Sequence, residues 1–488
     1  MSDIPAGQDR RTFFFDISSL IGYVSKIDRY SGIQRVVVTM IVEMSRLVDA
    51  DRLYLSWRDR KSGHYLCLPF SQIGAEAFAS PESMRRIFRP SVARRDNLPP
   101  LKKYRTKPVK YYLQRAWLDV AARLGHDRRF HKYNMSAKMW RDARKGRKQV
   151  KQQTLSPVEF SSRARAGDHL VLLDSAWFSE QIDIFLQAHK AELVVHSMVY
   201  DLIPIVAPHT CDGMGPANFY QWLLRSQEYT DHYLAISQAT LRDLKDFFSA
   251  HGVDTPATVV PLAQAALPSG ADMGLQKQVI GPLSTNIATA AYPGLRELIT
   301  LDDSLRHVVA NPFVLCVGTI EARKNAWRIA MAWKALLDQG YVNLPKLVFA
   351  GRRGWLRQDF EDLLEATGNV YGYVRVIDGP SDEELDMLYS HCQFSIMASL
   401  YEGWGLPVGE ALAYGKTAVV ANNSSLPEVG EDLVEYCDAT EVSSIAEAVK
   451  RLMDDDHRAA LEAKITAANL RDWADVARDL HAAIGLFS

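Results

Sequence analysis

A chain of 488 residues and 54.9 kDa exceeds what one hydrophobic core supports and suits two or three domains. Hydrophobic residues at 47% and charged residues at 24% describe a globular protein, and no run reaches the roughly 18 apolar residues that a membrane-spanning helix needs. The formal net charge of −1 conceals a polarity: residues 81–153 hold 22 Lys or Arg against 5 Asp or Glu, an excess of 17 that leaves the rest of the chain near −18.

Residues 1–11 lack the apolar stretch of a signal peptide, so the protein is expected to stay in the cytoplasm, where it is made. Cys67, Cys211, Cys316, Cys392 and Cys437 show no paired spacing, which argues for reduced thiols rather than zinc or disulfides. In chain order, TFFFDIS is an apolar strand. SGIQRVVVTMIVEMSRL then carries helical spacing from Ile33 to Leu47, with Gly32 placed for a strand-to-helix turn. Further strands are expected at 169–174, 192–201 and 232–237, with helical patterns between them. That alternation predicts a parallel sheet covered on both faces.

The basic stretch 81–153 interrupts this first domain, 1–262. Within it Tyr111 to Leu124 has helical spacing, and MWRDARKGRKQVKQQ reads as a cationic helix or a disordered arm. A solvated charged insertion is the plain reading. The sharper one is an anionic membrane surface, contacted through Arg144, Lys145, Arg147 and Lys148. Nucleic acid is not expected as a partner, because no recognised motif accompanies the charge. Residues 263–300, rich in Ala, Gly, Pro and Ser, form the expected linker. A second alternating series follows over 301–470, with apolar runs at 313–318, 346–351, 374–378, 394–399, 417–421 and 434–437. An amphipathic segment at about 471–488 is expected to cross back to the first domain.

The chemistry concentrates at strand ends. YEGWGLPVGEALAYG follows the apolar run FSIMAS, so Tyr401 to Leu406 form a loop at a strand's carboxyl end and Pro407 opens a helix. Glu402 and Glu410 then face one crevice, while Gly403 and Gly405 let the backbone approach a ligand. Two carboxylates suit the several O–H donors of a sugar and a ribose. VGTIEARKN, at the end of the first strand of the second series, places the basic pair Arg323 and Lys324 just before a helix that starts near Asn325.

The pattern Glu402-GWGLPVG-Glu410, with VGTIEARKN before it and AGRRGW between, resembles the donor site of retaining glycosyltransferases of family 4. The resemblance runs from about Phe313 to Val429. SGIQRVV and VYDLIPIVAP extend it more weakly into the first domain. It implies the α/β GT-B fold of two Rossmann-like domains. It also implies retaining transfer of a sugar from a nucleotide diphosphate sugar to a lipid-linked oligosaccharide or polysaccharide precursor. Likeness to polysaccharide mannosyltransferases suggests mannose from GDP-mannose. Arg323 and Lys324 would neutralise the leaving diphosphate, Glu402 would hold donor-sugar hydroxyls, and Glu410 the ribose. Donor contacts are implied for Gly32, Gly318, Gly351, Arg352, Gly403, Trp404, Gly405 and Leu406, with Asp201 and Tyr200 on the acceptor side. Where many relatives have His-Asp this chain has Tyr200-Asp201, and a tyrosine hardly carries protons near neutral pH. Asp201 has a plain alternative, capping the turn before Pro204. His196 is expected as a buried core histidine. Neither cofactor nor metal is expected, since Asp454-Asp455-Asp456 reads as a solvated helix start. An epimerase on the same fold and a catalytically silent carbohydrate- or lipid-binding protein are the alternatives.

Overall fold

The computed structural model describes residues 11–27, 30, 32–59, 62–88, 108–126, 129–130, 137, 140–141, 155–174, 181–265 and 303–487. Arg144, Lys145, Arg147 and Lys148 and most of the expected linker lie outside them. The described residues within Met1–Leu20, Ser31–Ala79 and Pro157–Ser488 make one compact body, which contains two sheets; those within Ile21–Tyr30 and Ser80–Ser156 make a second.

The first sheet comprises β1 (Phe13–Asp16), β2 (Leu53–Arg58), β3 (Tyr65–Pro69), β4 (Val158–Glu159), β5 (His169–Leu172), β6 (Val194–Val199), β7 (His232–Ala235) and β8 (Ala257–Val259). Their order is β4-β3-β2-β1-β5-β6-β7-β8. An all-parallel sheet is not what forms. The β2/β3 and β3/β4 pairs are antiparallel, and between β2 and β3 Gly63, at φ +76°, lets the chain turn back within a few residues. Asp59 secures that turn through its carboxylate, which accepts from the Ser62 amide at 2.9 Å and hydroxyl at 2.8 Å. The second sheet is wholly parallel: β9 (Phe313–Val317), β10 (Lys346–Gly351), β11 (Val374–Asp378), β12 (Phe394–Met397), β13 (Ala418–Ala421) and β14 (Glu435–Cys437), in the order β11-β10-β9-β12-β13-β14. The order reverses between β9 and β12, and in open α/β sheets such a switch point opens a crevice at the strands' carboxyl ends.

Seven helices matter below: α1 (Ile33–Leu47), α2 (Pro108–Arg123), α3 (Gln238–Ala250), α4 (Ala326–Asp338), α5 (Asp382–His391), α6 (Leu406–Ala413) and α7 (Trp473–Gly485). Helical spacing on α4 buries Ile329, Trp333 and Leu336 in the second core, where the Trp333 indole donates to the Pro345 carbonyl at 2.9 Å. Ser381 and Glu384 make a reciprocal capping box that starts α5, an arrangement that typically stabilises by about 1 kcal/mol. After the second sheet the chain returns to the first. Arg471 donates to the Pro261 carbonyl at 3.1 Å, and α7 buries Trp473, Val476, Leu480 and Ile484 and packs along α1.

Beneath α7 three histidines from neighbouring strands form a buried row. His169 Nδ1 and His196 Nε2 are 3.1 Å apart, as are His196 Nδ1 and His232 Nδ1, and His232 Nε2 lies 2.9 Å from the Thr258 hydroxyl. His196 is thus the core histidine expected of it. Burial holds His232 down to about 4 and lowers His196 as well, the latter with help from its two neighbours. In the unfolded chain these rings protonate near 6.5, so their contribution to stability is complete above that pH and declines as pH falls toward the folded value. Denaturant unfolding between pH 7 and 4 is expected to show stability falling by about 1.4 kcal/mol per pH unit for each such histidine. A His232→Phe variant should flatten the profile, and an unchanged slope would refute the assignment.

Candidate active site

The loop after β9 is held from two sides. On one side it is laced to the end of β10 and the loop after it: the Gly318 amide donates to the Ala350 carbonyl at 3.1 Å and the Ile320 amide to the Arg352 carbonyl at 2.8 Å. On the other, Asn325, buried and left-handed at φ +59°, donates its amide to the Ala398 carbonyl at 2.9 Å and the Ala439 carbonyl at 2.7 Å. Between these anchors a single 3-10 turn, Ala322–Lys324, presents the two cations immediately before α4.

Because β9 pairs directly with β12, this turn meets the loop carrying Glu402. Lys324 Nζ is 2.6 Å from one oxygen of Glu402 and Arg323 Nη1 is 2.7 Å from the other. Arg323 also donates to the Tyr401 carbonyl at 2.9 Å and pairs with Glu321 at 2.8 Å. Burial by itself would raise the Glu402 carboxyl; Arg323 and Lys324 overcome it and hold the group at about 2. Glu402 therefore stays ionised throughout the physiological range. Burial raises Glu321, against the pull of Arg323 and Lys324. Desolvation would lower the Arg323 guanidinium, but the carboxylates of Glu402, Glu321 and Asp201 raise it. The expected cationic pair and the first carboxylate of the E-x7-E pattern thus form one ion cluster.

Glu410 stands on α6, whose start at Gly405 (φ +119°) admits no larger residue: a Cβ there would meet Leu426 Cδ2 at 2.6 Å. Its carboxylate accepts from the Tyr389 hydroxyl at 2.7 Å, and burial raises it against that bond and the charge of Arg35. Arg35 lies on α1, three residues beyond Gly32 (φ +50°), and bridges to Asp382 at 3.4 Å. Glu410 is therefore sensed from the glycine turn of the first sheet.

On the first sheet, the Asp201 carboxylate accepts from the Ile203 amide at 3.0 Å, so it does cap the turn before Pro204. Burial raises it, and Arg323 opposes the rise, so it also belongs to the cluster's field. The Tyr200 hydroxyl donates to the Leu173 carbonyl at 2.7 Å, while its backbone carbonyl lies so near Gly403 that a Cβ there would sit 2.2 Å away. That hydrogen bond fixes the orientation of the Tyr200 ring. The buried Trp404 indole donates to the Ala263 carbonyl at 3.1 Å and ties the loop to the connecting segment. Arg352 is exposed and Leu406 half-buried, at the first position of α6. Glu321, Asn325, Arg35 and Tyr389 escaped the reading of the residues. The first two lay within the stretch VGTIEARKN without a distinguishing role, and Arg35 within SGIQRVV. Asp16, closing β1, is pushed up to about 6 by burial, against hydrogen bonds from Ser18 and Tyr65. Among the described residues no His, Cys, Asp and Glu side chains are grouped as a metal ion requires.

Residues 299–469 match the family Glycosyl transferases group 1. The O-antigen chain mannosyltransferase B of Escherichia coli is 34% identical over 144 residues, 30% of this chain and 37% of that protein. The serotype-specific mannosyltransferase WbdA of Escherichia coli is 24% identical over 256 residues, 52% of this chain and 29% of that one. The matched segments thus span about a third of these relatives' own length. The crystal structure of Anabaena HepE in complex with UDP and glucose superposes with a TM-score of 0.52 at 11% identity, covering 98% of this chain and 100% of that one. The chain thus has an α/β fold of the GT-B type, matches group 1 glycosyl transferases across its second sheet, and resembles polysaccharide mannosyltransferases.

Proposed function

We propose that the chain is a retaining glycosyltransferase of family 4. It moves mannose from GDP-mannose to a lipid-linked oligosaccharide or polysaccharide precursor on an anionic membrane surface. The observation that supports this best is the cluster of Arg323, Lys324 and Glu402 at the switch point between β9 and β12. A diphosphate there would take over the two cations, freeing the Glu402 oxygens for donor-sugar hydroxyls. The bond from the sugar's anomeric carbon to the diphosphate breaks. The acceptor oxygen bonds to that carbon on the same face, and its proton passes to a diphosphate oxygen. No histidine base is needed, which accords with a Tyr200 hydroxyl already bonded to Leu173. Arg323 and Lys324 stabilise the leaving charge, and Glu410 orients the ribose.

A thermal-shift screen across GDP-, UDP-, ADP- and dTDP-sugars tests the donor. The GDP-sugar at 100 times its dissociation constant is expected to add about 2.7 kcal/mol of stability. Transfer should then proceed unchanged in EDTA and give a product with the donor's anomeric configuration. Isomerised nucleotide sugar in the absence of acceptor would move the chain to the epimerases, and tight binding with no turnover on any acceptor would make it a silent binder.

A further inference from the structure

Helix α2, within the second compact body, is apolar on two opposite faces. Helical spacing of 100° per residue puts Leu118, Ala121 and Ala122 on one side, all buried against Phe130, Ala137 and Trp140. On the other side stand Val109, Tyr112, Leu113, Trp117 and Val120, with Leu124 just past the helix end, and their exposures run from 45% for Trp117 to 72% for Tyr112. Six large apolar side chains lined up on one exposed stripe call for a partner, where scattered ones would not. Basic groups border it: Lys110 and Arg123 lie on the same helix, and the Arg129 guanidinium sits 4.2 Å from the centre of the Trp117 ring.

We propose that this face of α2 is a membrane-docking surface that enters the headgroup region of an anionic bilayer. A helix lying in that interface buries one apolar stripe while flanking Lys and Arg meet lipid phosphates, and Trp and Tyr favour the boundary. The charge selects this occupant over a second copy of the chain, since pairing two stripes would bring together two stretches that each carry an excess of 17 basic residues. Nucleic acid would satisfy the charge and leave the stripe in water. The inference rests on the membrane part of the proposed function and is independent of the transfer reaction.

Flotation of the full chain with vesicles tests it, with neither sugar donor nor acceptor present. Phosphatidylglycerol–phosphatidylethanolamine vesicles should carry the protein and phosphatidylcholine vesicles should not. Leu113→Glu with Val120→Glu should weaken that binding about tenfold or more and leave nucleotide-sugar thermal shifts intact. Should the double variant fail to fold, hydrogen exchange on the parent chain decides. Anionic vesicles are expected to protect the amides of 109–124. Equal binding by variant and parent, no protection of those amides, or self-association abolished by the variant without any vesicle binding would each overturn the assignment.

Discussion

Replacing Lys324 with alanine is expected to lower the turnover number of the proposed transfer by two to three orders of magnitude and to leave folding stability nearly unchanged. The asymmetry follows from the ion cluster. Glu402 loses one partner at 2.6 Å and keeps Arg323 at 2.7 Å, so no buried carboxylate is stranded. What disappears is one of the two cations proposed to receive a leaving diphosphate, a loss comparable to deleting an oxyanion-hole donor. Arg323→Ala should behave differently. It removes the Glu321 ion pair at 2.8 Å, one of the two cations on Glu402, and the hydrogen bond to the Tyr401 carbonyl, so stability should fall by about 3–5 kcal/mol along with activity. Glu402 is ionised with a pKa of about 2 because its cations outweigh burial. Its stabilising contribution is present above the unfolded value and is lost as pH falls through the folded one. Without Arg323 that folded value rises, and acid unfolding should begin at higher pH. Turnover at saturating donor, read beside urea unfolding from pH 7 to 3, separates the two variants. A Lys324→Ala enzyme within tenfold of the parent would sink the assignment of the diphosphate to this turn.

Gly351→Ala is expected to cost at least about 3 kcal/mol, among the largest effects of any single methyl group in this chain. A Cβ at that position would lie 1.8 Å from the Gly318 carbonyl oxygen and 2.6 Å from its carbon, and both neighbours are backbone. Relief requires the loop after β9 to move away from the loop after β10, breaking the ties that orient Arg323 and Lys324. Gly215→Ala supplies the control, since its added methyl meets nothing within 4 Å and its φ is not positive. That variant should be neutral or stabilising by about 0.4–1 kcal/mol. Guanidinium unfolding midpoints of the two decide the matter, and a Gly351→Ala protein as stable as the control would show that the loops are not tied in this way. The motif AGRRGW suggests a glycine kept for a ligand. The geometry supplies a second reason, close approach of two crossover loops.

Local chemistry suffices for much of the molecule. FVLCV, KLVFAG and FSIM are strands because continuous β-branched and aromatic runs between turn residues can be buried on both faces, and α4 and α7 are helices because their apolar residues recur at three and four. The candidate residues Arg323, Lys324, Glu402 and Glu410 were reached from motif order together with the resemblance to family 4 glycosyltransferases. Their partners were not. The hairpin of β2 and β3 departs from the parallel pattern through one turn at Gly63, and Asn325, Arg35 and Tyr389 carry no distinguishing local pattern. Spacing likewise could not tell that the Trp404 indole turns to Ala263, or that Glu402 is bound by both cations instead of standing apart from them. Composition and periodicity by themselves determined which segments are strands, helices and the loops between them, since those depend on neighbours a few residues away. Tertiary structure alone decided that β9 lies beside β12, because strand pairing joins segments about eighty residues apart, and charges on two loops meet only when the sheet order reverses between them.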